Sequence, residues 1–386
     1  MSDPTEPASR ESADARIVAV TMDDPVLGGP VRLVLGAQTT VLVGKNGAGK
    51  SLLLEKLELA ALAAVNLKGQ VSAAPVRLEV ELAGSRFEYE YHLQPDFGVD
   101  REGPWSWTEV CVDAVAGREI WKVADGRATV ASTFMMPMPP GVGLLHLRPP
   151  PSRVPEAGLL RRLLRGLSLV HAGVPRHAPV RENLRLQWVD GTGGLGGSGR
   201  GDDRMIAVLR TLAIWYGSVR ERFDAVVEIG RRLQVLQSLD IQVKRLDAHP
   251  HPSDAPTHEA EVFVDGVNFG YLSDGTQRLI ELVIKLVDPA VTVLLLEEPE
   301  TSVHPGLLRR LLAELEALGP GKQLVISTHS PMVIDWTAAE DVRLVERTPE
   351  GVTRVRTLSA DEQARLRIYL DDDLALSDFM LSGAMD

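Results

Sequence analysis

The stretch "TTVLVGKNGAGKSLLLEKL", Thr39 to Leu57, constrains the fold more than any other part of the chain. A short β-branched apolar run enters a glycine-rich turn, and leucines at helical spacing leave it. That is strand, loop and helix in immediate succession. Gly44, Gly47 and Gly49 let backbone N–H groups turn inward around phosphate oxygens, and the helix N-terminus behind them adds positive potential. The expected nucleotide-binding set is therefore Gly44, Lys45, Asn46, Gly47, Ala48, Gly49, Lys50 and Ser51. Lys50 is placed to reach the β- and γ-phosphates, and Ser51 to ligate Mg²⁺.

The second half supplies the partners that such a loop needs. Helix 274–287, the apolar strand "VTVLLLE" (291–297), helix 305–318 and the strand "QLVIST" (323–328) alternate. An uninterrupted apolar strand between amphipathic helices indicates a parallel sheet covered on both faces. The predicted class is α/β, a mixed sheet flanked by helices with an inserted strand-and-helix arm. Short strands fill 16–43, and "VRLEVEL" and "FEYEYHL" within 70–150 alternate as antiparallel strands do. "RPPPSRVP" (148–155) reads as a stiff connector. Helices are expected over 156–170 and over 203–238, where Gly217 and Gly230 interrupt the heptad-like pattern and favour a packed pair. Residues 259–272 read as a hairpin turning at Asp265-Gly266. The hairpin "VRLVERTPEGVTRVRTL", a short helix and an acidic end complete the chain. The expected organisation is a tail at 1–15, a head from 16–69 and 259–358, an arm at 70–258, and a C-terminal helix with acidic tail at 359–386.

Two acids end the 291–297 strand. At the carboxyl edge of a sheet, beside a phosphate loop, Glu297 is expected to hold Mg²⁺ and Glu298 to act as general base toward an attacking water. His329 ends the next strand and can hydrogen-bond the γ-phosphate or that water. His304, before Pro305, reads equally as a helix cap or a functional group. "GLGGSG" (194–199) matches a dinucleotide-binding pattern, but seven glycines lie within 191–201, so it reads as a linker. "DDD" (371–373) reads as a solvated tail rather than a metal site.

Charge and cysteine content narrow the setting. Net charge is −12, which disfavours blanket nucleic-acid binding, yet residues 146–210 hold eleven arginines, no lysine and five acids. That segment is the candidate polyanion surface. The single cysteine, Cys111, forms no internal disulfide and is expected to be a small buried residue, in keeping with a reducing cytoplasm. No apolar run approaches the roughly 20 residues needed to span a bilayer, so no membrane association is expected and the location is expected to be cytoplasmic.

The phosphate loop, "LSDGTQR", "LLLEEPETSVHP" and "ISTHSP", in that order, resemble the head domain of ABC-type ATPases. The likeness is to the branch holding RecF, SMC-like heads and the overcoming-lysogenization-defect (OLD) family. It covers roughly 16–51 and 262–335. The resemblance implies ATP as substrate with Mg²⁺. It also implies that Ser273, Asp274 and Gly275 cover the nucleotide of a second copy, in a head-to-tail homodimer or higher oligomer, and that Thr301 and Ser302 take part in cross-talk. Asp274 replaces a glycine of the transporter version and must point away from a triphosphate. Glu297 stands where the family normally has aspartate, and no glutamine is assigned to sensing the γ-phosphate. The nuclease (Toprim) domain of OLD proteins is not expected in the stretch after "STHSP". Three readings follow: an ATP-driven dimerising switch controlling a separate effector, a nuclease or toxin, in anti-phage defence; a DNA-repair or DNA-clamping ATPase using the arginine-rich segment, with Arg161, Arg162 and Arg165 as its contacts; and a transporter's nucleotide-binding subunit, which "SDG" disfavours.

Overall fold

The computed structural model describes residues 15–65, 75–95, 105–139, 142–147, 154–172, 185–189, 195–198, 203–246, 257–318, 321–371 and 375–381. The expected tail at 1–15 lies outside them except for its last residue, as do Asp372 and Asp373 of "DDD" and the last five residues of the chain. The chain opens with β1 (Ala15–Asp24), β2 (Gly29–Val34), β3 (Thr39–Val43) and helix α1 (Lys50–Val65). The strands β4 (Val76–Leu82), β5 (Ser85–Pro95), β6 (Trp105–Asp113), β7 (Glu119–Ala124), β8 (Arg127–Val130) and β9 (Phe134–Pro137) follow. Next come α2 (Pro155–Arg165), β10 (Leu167–Val170), β11 (Arg185–Val189), β12 (Leu195–Ser198), α3 (Asp203–Ser218), α4 (Arg220–Leu233), β13 (Leu239–Leu246), β14 (Thr257–Val264) and β15 (Val267–Asn268). The last part holds α5 (Asp274–Val287), β16 (Val293–Glu297), α6 (Pro305–Leu318), β17 (Gln323–Thr328), α7 (Pro331–Trp336), β18 (Val342–Arg347), β19 (Thr353–Arg356), α8 (Ala360–Asp371) and α9 (Leu376–Leu381). The architecture is α/β.

By compactness the chain forms two units, residues 1–169 with 289–299 and 319–386, and residues 170–288 with 300–318. The segment 70–258, bounded from sequence, contributes to both.

The first unit holds two sheets. One is antiparallel, in the order β2-β1-β4-β5-β6-β7-β8-β9; the other runs β10-β16-β17-β3-β18-β19. In the second sheet β16, β17, β3 and β18 are parallel and β19 turns back antiparallel. Helix α1 belongs to the core shared by both sheets, where Leu53, Leu54 and Leu57 pack among Leu33, Leu78, Val293 and Val325. A helix apolar on most of its circumference is stable only when covered so broadly. The amide of Gln323 ties the sheets together. Its Oε1 accepts from Ile17 N (3.0 Å), and its Nε2 donates to Ile17 O (2.7 Å) and Gly36 O (2.8 Å).

A buried polar knot braces α1 from the antiparallel sheet. Glu109 accepts from Tyr89 Oη (2.8 Å), Trp107 Nε1 (3.0 Å), Trp121 Nε1 (3.2 Å) and Leu144 N (2.5 Å). Burial pushes its carboxyl pKa up while these four bonds oppose the rise. Next to it, Tyr91 Oη donates to Ala60 O (2.6 Å) and His146 Nε2 meets Ala63 O (3.0 Å), so two carbonyls of α1 are satisfied from the side. Cys111 is fully buried in the same core, as expected.

In the second unit the sheet runs β12-β11-β14-β13, with α3, α4, α5 and α6 packed together. The hairpin turn at Asp265-Gly266 joins β14 to β15, with φ of 50° and 80° at those positions. Among the described residues no helix is long and apolar enough to cross a membrane.

Three local expectations need correction. The helix predicted over 156–170 stops at Arg165, because Gly166 caps it and Leu167–Val170 pairs with β16. A continuous apolar run reads the same in a buried helix and a buried strand. The 203–238 segment does divide into a pair, but the break falls at Val219; Gly230 lies inside α4. There it makes room for Leu236, whose Cγ would sit 2.6 Å from a Cβ, so it serves the helix's closure and interrupts nothing. Within the expected linker, Leu195–Ser198 pairs antiparallel with β11, since backbone pairing needs no side chains.

Candidate nucleotide site

The phosphate loop follows β3 and opens α1. Gly47 and Gly49 have φ of +79° and +104°, conformations that a side chain would strain. Beneath the loop there is no room. A Cβ on Gly44 would lie 2.0 Å from Val345 O, and one on Gly49 would lie 2.8 Å from Thr353 Oγ1. Over Gly47 the space is open, with nothing within 4 Å of a built Cβ. Buried Thr353 also donates from Oγ1 to Ala48 O at 3.4 Å. The loop is thus supported from behind by β18 and β19 and open at Gly47, which suits backbone approach to a phosphate.

Three side chains expected from the sequence come together. Lys50 is buried, and its Nζ donates to Gly44 O (2.8 Å) and Lys45 O (3.3 Å) and lies 2.6 Å from His329 Nε2. An ammonium only donates, so the ring nitrogen facing it is the acceptor and His329 carries its proton on Nδ1. Glu298 Oε1 lies 3.8 Å from the same Nε2. Glu298 is held in a left-handed conformation, φ +40°, while its N–H donates to Ser327 O (2.8 Å). This kink, directly before Pro299, ends the strand and swings the carboxylate toward His329. A strained non-glycine residue with a titratable side chain in such a place is a marker of function.

Glu297 is the last residue of β16, paired in register with Ser327 of β17. Val293 and Leu295 face the α1 core, and so, by alternation, does Glu297. Ser51 lies in the first turn of α1. Among the described residues no group of three or more His, Cys, Asp or Glu could hold a metal alone. A pair of a hydroxyl and one carboxylate suits Mg²⁺, which keeps several waters and takes phosphate oxygens as further ligands.

In the second unit, Ser273 is exposed at the N-cap of α5. Its Oγ accepts from Thr276 N (3.3 Å) and lies 2.8 Å from Thr276 Oγ1. Asp274 is exposed in the first helical turn, where a carboxylate complements the helix dipole. A Cβ on Gly275 would meet Ser302 O at 3.2 Å. Buried Arg278 donates from Nη1 to Thr301 O (3.1 Å). The Ser273–Gly275 turn and the Thr301–Ser302 turn are therefore packed as one piece. His304 Nδ1 accepts from Gly306 N (3.1 Å), which is the capping role.

The expected polyanion surface loses one member. Arg161 is buried, with Nη1 donating to Leu147 O (3.0 Å), because its position faces the core of α2; Arg162 and Arg165 are exposed. Much of 173–202 lies outside the described residues. Sequence reasoning also missed Thr353 and Val345, since nothing in a hairpin far along the chain says which loop it will underlie.

Residues 207–335 match the family model described as "AAA domain, putative AbiEii toxin, Type IV TA system". That stretch, about a third of the chain, contains Ser273–Gly275, Glu297, Glu298 and His329 but not the phosphate loop. No curated protein sequence matches the chain. Among solved structures, the chain is similar to an SMC head bound to the C-terminal winged-helix domain of ScpA, at 13% identity and a TM-score of 0.43, covering 90% of this chain and 99% of that one. It is similar also to an SMC head with an extended coiled coil, bound to the C-terminal domain of ScpA derived from Pyrococcus furiosus, at 12% identity and 0.44, covering 92% and 100%. A third similar structure is the ATP binding subunit of an ABC transporter, at 12% identity and 0.41, covering 96% and 98%.

Proposed function

We propose that the chain is an ABC-type ATPase head that hydrolyses ATP to ADP and phosphate and works as a dimerising switch for a separate effector. The observation that carries this reading is the convergence at the mouth of the phosphate loop of Lys50 Nζ and Glu298 Oε1 on His329 Nε2, at 2.6 Å and 3.8 Å respectively. Backbone N–H groups from Gly44 to Ser51 hold the triphosphate, and Lys50 leaves its loop carbonyls to neutralise the β- and γ-oxygens. Glu298 orients a water in line with the γ-phosphorus and accepts its proton. With Lys50 moved to the phosphates, His329 Nε2 can carry the ring proton and donate it toward a γ-oxygen or the Glu298 carboxylate, whose Oε1 lies 3.8 Å away. Ser51 and Glu297 would hold Mg²⁺, which when bound supplies charge neutralisation on the phosphates.

Ser273, Asp274 and Gly275 of a second copy close the pocket in this reading. The exposure of Ser273 and Asp274 at a helix N-terminus supports it, because such an end attracts a γ-phosphate. The effector is a nuclease or toxin, and the setting is anti-phage defence; the matched family's description, which names a toxin–antitoxin system, favours this. The protein would work in the cytoplasm. A DNA-clamping ATPase is the second reading, resting on the exposed Arg162 and Arg165.

The test is ATP turnover together with light-scattering mass of purified protein. The expected result is Mg²⁺-dependent phosphate release, and Glu298→Gln that retains ATP and shifts to a dimer. Absence of turnover and of any ATP-dependent change in mass would overturn the reading.

A further inference from the structure

The strand β17 carries three polar side chains, and two of them are accounted for. Gln323 bonds to Ile17 and Gly36, and Thr328 Oγ1 accepts from Ser330 N (2.9 Å). The third, Ser327, has no accessible surface, and among the described residues its Oγ has no hydrogen-bond partner. A buried hydroxyl without a partner is costly, and few are left so in folded proteins without a reason.

Its position supplies one. In register Ser327 stands directly beside Glu297, and its other neighbour is Leu42 of β3. Val325 and Leu42 face the α1 core, so the alternation turns Ser327 to the same face as Glu297. The Ser327 carbonyl already accepts from Glu298 N (2.8 Å), so one residue abuts both strand-end acids. Glu297 is also the longer of the two acids that could serve there, and its additional side-chain torsion must be fixed for a cation to be held well.

We propose that Ser327 is a positioning residue for the divalent cation of the nucleotide site: when Glu297 turns to the cation, Ser327 Oγ donates to its carboxylate and holds its rotamer. The proposal rests on the reading of Glu297 as a metal ligand. It makes the unpartnered hydroxyl a group satisfied only in the loaded state. Outer hydrogen bonds of this kind typically change metal affinity by about 10–100-fold.

The test uses Mn²⁺ as the probe, its free-ion resonance signal being followed in the presence of a non-hydrolysable ATP analogue. Ser327→Ala is expected to weaken Mn²⁺ binding about 10-fold, while analogue binding in a chelator is unchanged and the unfolding temperature does not fall. Combined with Glu297→Ala, which removes the carboxylate that the hydroxyl would hold, the Ser327→Ala effect is expected to vanish. Equal Mn²⁺ affinity in Ser327→Ala and wild type would overturn the proposal, as would a loss of the same size in both backgrounds, which marks a packing role. If the wild type takes up the analogue but Mn²⁺ binds independently of Glu297, the metal-ligand reading itself falls, and that outcome is recognisable from Glu297→Ala alone.

Discussion

The phosphate loop and the Ser273–Gly275 turn both present backbone N–H groups at the start of a helix, yet the fold treats them differently. Around the loop, the lysine is drawn inward and the backbone is braced from behind. Lys50 is buried, His329 lies against it, and Val345 and Thr353 close the space beneath. At the turn, Ser273 and Asp274 are exposed and Ser273 is occupied only in capping its own helix. One region is packed by its own chain, and the other faces solvent, where the proposed second copy would meet it. The turn is nonetheless packed from behind: Gly275 abuts Ser302, and Arg278 donates to Thr301 O. The contrast teaches that a turn packed firmly from behind can still leave its polar groups facing solvent, as the proposed pairing of two copies requires.

The largest expected effect is at the inward region. Glu298→Gln keeps the shape but removes the proton acceptor, and kcat for ATP should fall about 100–1,000-fold with nucleotide affinity retained. Loss of affinity instead would mean that Glu298 belongs to the binding surface, and the contrast between the packed loop and the exposed turn would weaken.

Thr353→Val sharpens the same side. It keeps the volume that fills the space under Gly49 but removes the hydroxyl aimed at Ala48 O. A several-fold rise in KM for ATP is expected with kcat nearly kept, and Thr353→Ser should behave as wild type. An unchanged KM would reduce the hairpin's role to packing.

The smallest effect concerns the brace behind α1. His146 Nδ1 accepts from Gly143 N (2.7 Å), so its proton sits on Nε2 and is donated to Ala63 O. Burial holds its pKa below the ordinary 6.5, nearby Arg161 lowers it further, and the bond to Ala63 opposes them. The unfolded chain therefore binds the proton first. Stability should decline as pH falls below about 6.5, by no more than about 1.4 kcal/mol per pH unit from this residue. Denaturant unfolding at several pH values would show it, and His146→Gln should flatten the slope.

The residues most legible in the sequence are those whose place follows from a local pattern. Glu298 and His329 each follow the last residue of an apolar strand, Lys50 opens the helix after the loop that ends another, and ends of parallel strands share one edge. What stayed hidden depends on strand order. The placement of β18 and β19 beneath the loop follows from the order β16-β17-β3-β18-β19, which no short stretch encodes. The strand Leu167–Val170 was masked by the helix before it, since an apolar run carries no period of its own. Arg161 read as surface because an arginine's burial depends on a carbonyl, that of Leu147, distant in sequence.

That Ser273 completes the pocket of a second copy is tested most directly by mixing two inactive variants. Lys50→Ala lacks a working loop but keeps Ser273; Ser273→Arg keeps the loop but blocks the turn. In a head-to-tail pair, a mixed dimer contains one intact composite site, so an equimolar mixture should recover roughly a quarter of wild-type ATP turnover. Turnover no higher than the average of the two separate variants would contradict the shared pocket.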